Sequence, residues 1–514
     1  MISFLMYCCN DTSVHMKNFK MIYSKNVRSI KFHREQVNDF RPQAFGIYLK
    51  LLRKYQAEEL LLLESLGNNE IDSRASLIGI KPLLSIEVSD CLITIRGNPL
   101  LLQEISLVYK GETLVDSGAD FLCYRITVRN RIWDFLRKID CRFNAIEGGV
   151  LAFMAMGYNT IHYIEDLTDF DSDMLADITL TCFATCIEFQ EKEVKIHEYG
   201  FIGEQLITEG DLLEILMVEA NIDRDSLSSS ALTDFSIERE TKKEAYILKT
   251  EKALRHIQMG DVYQVQIGQK LQVRSSISPL EVYARMRLLN PSPYMYLFHL
   301  HGHAVVGASP ELFVRIQNDE VLMRPIAGTL GKMAASTKEL ATIELRNNAK
   351  EVAEHLMLVD LCRNDLSRIA TPQSLEVLGL LDVEEYSHVF HMVTTTRALL
   401  KEGMDKYDVI KAAFPAGTMT GTPKIRAMEI IADLEDSGRG LYAGALGMIG
   451  LGTEYINTAL CIRTATESGG VYTLRASAGI VSDSIVENEH AETLHKMGSV
   501  FKAITGEEIA CHLA

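Results

Sequence analysis

The sequence predicts a large mixed body of helices and strands, built either as two domains or as one composite α/β unit. Three observations predict it. The chain has 514 residues, more than one ordinary hydrophobic core organises. Its first half alternates short apolar runs with polar, turn-like breaks, and its second half alternates strand-like runs with stretches of helical period. With 47% hydrophobic and 24% charged residues, its composition is globular, neither disordered nor collagenous.

Taken in order, residues 1–22 form an N-terminal extension of weak periodicity, expected to be disordered, with Met16 or Met21 as an alternative start. Residues 23–220 form a strand-rich region whose strands are LLLLES, LLSIEV, LITIRG, VLAFMAMGY, ITLTCFATCIEF and VKIHEYGF. An acidic amphipathic stretch, ITEGDLLEILMVEA, reads as a helix, and the Ser-rich segment 221–235 reads as a linker. Residues 236–508 form the second region. Thr241, followed by Glu244, reads as a capping box for a helix that presents Tyr246, Ala253, Leu254 and Ile257 on one face and stops at Gly260. The strand VYQVQIGQKLQV follows.

Composition also excludes several classes of function. A net charge of −17 disfavours nucleic acid, whose affinity for proteins comes largely from Lys and Arg. An anionic small ligand would therefore need a locally positive site or a metal ion. No apolar run is long enough to cross a bilayer, and MISFLMYCCN lacks the basic start and cleavage site of a secretory signal, so a cytoplasmic location is expected. The ten cysteines show no CxxC pair and no zinc spacing. Cys182 and Cys186 read as small core residues of a strand.

Two helices of the second region carry acids that packing does not require. In KEVAEHLMLVDL, Val352, Leu356 and Val359 read as the core stripe, with Glu351 and Glu354 on another face. In VENEHAETLHKMGSVF, Glu489, Glu492 and Lys496 share a face, and Leu494, Met497 and Phe501 form the buried side. A paired-carboxylate metal site and two plain solvated faces both satisfy that spacing. The loops RPIAGTLG, AGTMTGTPK and RASAGIVSDS place Gly beside small hydroxyl residues, where backbone N–H groups can approach an anion. A His in EEYSHVFH and an Arg in LCIRTA join them in a candidate carboxylate pocket.

Together RPIAGT, KEVAEHLMLVDLCRNDLSRI, YSHVFH, FPAGTMTGTPKIRAMEII, NTALCIRTA and ASAGIVSDS with ENEHAETLHK resemble the chorismate-binding domain of anthranilate synthase component I, aminodeoxychorismate synthase component I, isochorismate synthase and salicylate synthase. The resemblance is strong from Thr241 to Ile504 and weaker before it. It implies an α+β fold: a large composite two-domain body, anthranilate synthase-like, with mainly antiparallel sheets and surrounding helices. Residues 23–220 would be regulatory and 236–508 catalytic. It also implies Mg²⁺ as cofactor on Glu354 and Glu492, and substrate contacts from Gly328, Thr329, Tyr442, Arg463, Ser477, Ala478, Gly479 and Lys496. His388 would assist loss of the ring hydroxyl and the pyruvate-forming step, with Thr329 and Gln264 beside it in the catalytic set. Ser65, Pro293, Tyr294 and Met295 would form a tryptophan-inhibition site.

Two positions separate members of this family. Aminodeoxychorismate synthases carry a nucleophilic Lys in a PIKGT motif, and the residue here is Ala327. Isochorismate and salicylate synthases carry a Lys base on a strand, and the matching residue here is Gln264. What remains is direct use of ammonia. The resemblance therefore implies a Mg²⁺-dependent lyase, the anthranilate synthase large subunit, turning chorismate and ammonia into anthranilate and pyruvate at the first committed step of tryptophan biosynthesis. Its expected partner is a glutamine amidotransferase subunit, anthranilate synthase component II. The alternatives are an aminodeoxyisochorismate or aminodeoxychorismate synthase and a non-catalytic paralogue that binds tryptophan or a partner. This sequence departs from the family pattern with Thr422 in place of Ala and Ser477 in place of Gly. An added side chain at position 477 is expected to narrow a backbone-binding loop.

Overall fold

The structure is a computed structural model that describes residues 22–31, 43–66, 75–109, 113–167, 175–190, 193–201, 234–332, 335, 337–386 and 388–513. Residues 1–21, the stretch 207–220 and residues 221–233 of the predicted linker lie outside the described residues.

Each apolar run of the first region forms a strand: Leu60–Glu64 (β1), Ser76–Ser89, Leu92–Gly97, Val150–Met156, Ile178–Phe189 and Glu193–Phe201. Ser76–Ser89 is the hub and pairs antiparallel with β1, Leu92–Gly97 and Ile178–Phe189. Cys182 and Cys186 lie buried in the last of these, where burial pushes both thiols well up. The helix Ile132–Asp140 turns Trp133, Phe135 and Leu136 into the core beneath. Full burial of such side chains contributes about 1.5–3 kcal/mol each.

The second region supplies the elements that position the site. In chain order they are the helix Lys243–Gln258 (α1), strand Gln264–Ser275 (β2), helix Pro279–Leu289 (α2), strands Tyr294–Leu300 (β3) and Ile326–Gly331 (β4), helix Ala349–Ser367 (α3), strand Val389–Leu399 (β5), the short strand Gly421–Thr422 (β6), helix Lys424–Leu434 (α4), strand Val471–Ile480 (β7) and helix Val486–Thr505 (α5). Local chemistry sets their ends. Ser278 and Glu281 form a reciprocal capping box at α2, with Pro279 in its first turn. The Asn348 side chain accepts from the N–H groups of Lys350 and Glu351 and starts α3. Gly506, at φ 82°, terminates α5.

Two local expectations are corrected. Thr241 does not cap α1: the N-cap is Lys242, with no side-chain bond, and the Thr241 hydroxyl instead accepts from the Lys270 N–H at 3.2 Å, tying the chain to β2. Leu356 is not in the core stripe of α3 but 41% exposed, because the buried face runs through His355, Leu358, Val359, Cys362, Asp365 and Leu366. His355 and Asp365 can occupy that face because each has a partner, Thr394 and Lys424 respectively.

The two regions, separated in sequence by the linker, share one curled antiparallel sheet. β1 pairs with β3, Glu64 opposite Met295, and Val150–Met156 pairs with Ala445–Leu451 along its whole length. α5 lies across β7 and against α2, burying Met497, Val500, Phe501 and Ile504 among Leu271, Tyr283 and Leu297. Among the described residues no helix is long and apolar enough to cross a membrane.

Candidate active site

β2 and β7 form the floor. Their register sets Gln266 opposite Gly479 and Gly268 opposite Ser477, so Gln264, Gln266, Ser477 and Gly479 share one face. α3 brings Glu354 to this face, where it accepts from Gln264 Nε2 at 2.9 Å. Gly479 is what allows the approach: a β-carbon there would lie 2.6 Å from Gln264 Nε2 and 3.3 Å from Glu354 Oε1. Gly328 plays the same part on β4. Its φ is 82°, and an added β-carbon would lie 3.4 Å from Glu351 Oε2.

The predicted acids do converge. Burial first, and then the charges of Glu351 and Glu492, push the Glu354 carboxyl up to about 7. Burial and Glu492 also raise Glu351 and Glu489. Glu492 itself is exposed and pairs with Lys496 at 2.7 Å. No group of three or more His, Cys, Asp and Glu side chains among the described residues is arranged to hold a metal alone. The donor set still fits Mg²⁺, which takes hard oxygens and commonly uses one or two carboxylates, completing its shell with water and ligand oxygens. Raised carboxylate pKa values are what an uncompensated cluster of this kind produces.

Positive charge faces the acids. Lys496 donates to the Ser477 carbonyl at 2.9 Å; burial opposes its charge, but Glu492 holds its pKa above the ordinary value. Arg463 is different. Burial lowers its pKa with no carboxylate to raise it, and its guanidinium makes no hydrogen bond or ion pair among the described residues. Its backbone has φ 51°, a conformation that costs a bulky residue of order 1–3 kcal/mol.

The Ser477 hydroxyl donates to Gln266 Oε1 at 2.9 Å and lies 2.7 Å from the Tyr442 hydroxyl. The side chain that was expected to narrow the loop thus cross-links its walls. Behind them Glu435 accepts from Arg439, Arg475 and the Gly268 N–H, and Arg439 also donates to the Gln266 carbonyl at 3.0 Å. Burial works against Glu435, yet Arg439 and Arg475 keep its carboxyl below the ordinary value, so the floor is clamped by a neutralised buried network.

His388 is not brought to this pocket. Its side chain is exposed, and its Nε2 lies 2.6 Å from the Leu289 carbonyl at the end of α2. The histidine that reaches the pocket is His391, which sequence reasoning passed over. His391 is buried, with Nδ1 3.0 Å from the Thr329 hydroxyl and 3.4 Å from the Gly328 carbonyl. Burial, together with Arg463 and Lys496, pushes its pKa down to about 3. The physical reason is position: His388 precedes β5, whereas His391 lies within it, opposite Thr329 in register. Reading VFHMVTTTRAL as a strand would have separated the two.

The pieces assigned to regulation also meet. Ser65, Pro293, Tyr294 and Met295 line one cavity of about 430 Å³ with Arg315 and Asn457, assembled by the pairing of β1 with β3. The Ser65 hydroxyl is buried with no partner among the described residues.

Residues 103–502 match the family described as chorismate binding enzyme. The chain belongs to that family of chorismate-utilising enzymes. It is 42% identical over 480 residues to the 2-amino-4-deoxychorismate synthase of Streptomyces globisporus, covering 91% of this chain and 95% of that protein. It is 31% identical over 489 residues to anthranilate synthase component 1 of Bacillus subtilis, covering 89% of each. Among solved structures, anthranilate synthase component I of Streptococcus pneumoniae superposes with a TM-score of 0.66 at 26% identity, over 84% of this chain and 93% of that one. The menaquinone-specific isochorismate synthase of Escherichia coli shares the fold, with a TM-score of 0.63 at 17% identity, over 94% of this chain and 95% of that one.

Proposed function

We propose that the chain aminates chorismate with ammonia: a C–N bond forms at ring carbon 2 while the carbon 4 C–O bond breaks, and the departing hydroxyl takes up the proton shed by nitrogen and leaves as water. The observation that carries this reading is Arg463, a desolvated guanidinium without a partner among the described residues, beside Lys496 and the glycine-bearing end of β7. In a chain of charge −17 such a group suits a carboxylate ligand, and chorismate is a dianion. Ala327 offers no nucleophile and Gln264 no base, and ammonia needs neither. Glu354 and Glu492 are the residues that would hold Mg²⁺, which when bound supplies positive charge to the ring carboxylate. His391, kept neutral by burial, fixes the Thr329 hydroxyl at the wall of the pocket as a positioning residue.

The product we propose is the aminated ether that keeps its enolpyruvyl group, as the name of the Streptomyces globisporus relative describes. Two features support it: that relative matches at 42% against 31% for the Bacillus subtilis protein, and Ser477 fixes Tyr442 and Gln266 beside the cationic pair. The second reading is the anthranilate synthase large subunit, which would also expel pyruvate and be inhibited by tryptophan. The cavity joining Ser65 to Pro293–Met295 favours it. Either reading calls for a glutaminase partner as the ammonia source and places the reaction in the cytoplasm.

The test is to incubate the purified chain with chorismate, Mg²⁺ and ammonium at alkaline pH, and to follow products by mass spectrometry and pyruvate by a coupled assay. An aminated ether with little pyruvate supports the first reading, and equal anthranilate and pyruvate the second. Isochorismate or a p-aminobenzoate precursor as sole product would overturn both. Glu354→Gln and Glu492→Gln should each remove most of the activity.

A further inference from the structure

Besides the Arg463 guanidinium, two buried oxygen atoms at the start of β2 and on the strand facing it have no partner among the described residues. The first is Gln264 Oε1: the residue is 1% exposed, and its amide nitrogen is committed to Glu354 at 2.9 Å. In its ionised form, which prevails above about pH 7, Glu354 accepts, so the –NH₂ end faces it and the amide oxygen is turned away as an open acceptor. The second is Thr422 Oγ1, also buried and unpartnered. Thr422 sits on β6 directly opposite Gln264 in antiparallel register, so both side chains leave the ribbon on the same face, the one Glu354 approaches. The same loop carries Thr418, whose hydroxyl is likewise buried without a partner. Three such atoms on one strand end and its facing loop are a marked departure from the rule that buried polar groups are satisfied.

We propose that Gln264 and Thr422 together form the seat of the nitrogen nucleophile. The inference rests on the amination reading and deepens it. Neutral ammonia has three N–H donors and one lone pair. A seat that offers an amide oxygen and a hydroxyl oxygen takes two of those donors and leaves the lone pair free to point at the ring. The seat does not remove a proton from the nucleophile, consistent with an amide and an alcohol, neither of which is a base near neutral pH. Thr422 is thereby a binding and orienting residue for ammonia rather than a packing substitution for the smaller residue that the resemblance leads one to expect there.

The test separates the two substrates kinetically in the full chain. Thr422→Val keeps the volume and removes the hydroxyl, and Thr422→Ser keeps the hydroxyl. The expected result is an apparent KM for ammonia raised about three- to tenfold in Thr422→Val, the range one hydrogen bond carries, with the chorismate KM and the melting temperature unchanged and Thr422→Ser close to wild type. An unchanged ammonia KM in Thr422→Val overturns the seat, and so does a parallel rise in both KM values, which would mean a general distortion of the pocket. A wild-type chain that forms no aminated product at any ammonium concentration overturns the amination reading itself and the seat with it.

Discussion

His391 Nδ1 lies 3.0 Å from the hydroxyl of Thr329, across the register of two paired strands. That contact puts an imidazole and a hydroxyl side by side next to Arg463 and Lys496, whereas His388, three residues earlier, is spent on the end of α2. His391→Asn should lower kcat by roughly three- to tenfold, the range one positioning hydrogen bond carries. His388→Ala should leave kcat near wild type. Because His391 stays neutral above about pH 3, the rate should show no inflection at the ordinary histidine value of about 6.5 on its account. Initial rates across pH check both statements, and a kcat loss confined to His388→Ala would reverse the assignment.

On the proposed reading, Arg463 trades stability for binding. A largely desolvated charge with no partner among the described residues is costly to the folded state, so Arg463→Gln should melt no lower than wild type while its chorismate KM rises roughly 10–100-fold, the range of a hydrogen bond to a charged group. Thermal unfolding and steady-state kinetics on the same preparation give the comparison. A lower melting point with unchanged KM would mean that the guanidinium serves the fold.

Ser477 ties Tyr442 to Gln266, and its replacement should change what leaves the enzyme. In Ser477→Gly the cross-link is gone, and the proportion of turnovers releasing pyruvate should rise, measured as pyruvate per aminated product. A ratio identical to wild type would show that the hydroxyl does not influence the fate of the enolpyruvyl group.

The helix Ile132–Asp140 of the first region is bolted to the helix Lys406–Ala413 of the second through Arg137, which donates to Asp405 at 2.5 and 2.9 Å and to Asp408 at 2.8 Å. Burial opposes ionisation of Asp405, but Arg137 and the Asp408 N–H hold its carboxyl below the ordinary value. With a folded value beneath the unfolded one, the stabilisation is fully present above about pH 3.9 and disappears as pH falls through the folded value. Asp405→Asn keeps the helix cap and loses the charge, so it should cost about 1 kcal/mol at neutral pH. Melting curves of mutant and wild type should converge in acid; a constant gap at every pH would mean the pair contributes nothing through its charge.

Much of this was legible in the residues, and what was not has identifiable causes. Short apolar runs bounded by turn-like polar breaks mark Leu60–Glu64 or Ile178–Phe189 as strands, and sequence also brings forward Glu354, Glu492, Lys496 and Arg463, which the fold gathers. An apolar run says that a strand is buried, not which strand lies beside it, so the union of Leu60–Glu64 with Tyr294–Leu300 could not be read from composition or period. The Thr241 pattern failed because a hydroxyl that could cap a helix found a closer donor in Lys270. Leu356 failed because a satisfied His355 outcompeted it for the interior. The choice between His388 and His391 turned on where one strand begins.

The sheet that crosses from one region to the other also sets how the protein can be cut. A gene fragment beginning at Thr241 would leave Tyr294–Leu300 and Ala445–Leu451 without the neighbours supplied by Leu60–Glu64 and Val150–Met156, baring rows of unsatisfied amides and carbonyls that invite self-association. The second region is therefore not a portable module, because the first region completes its scaffold.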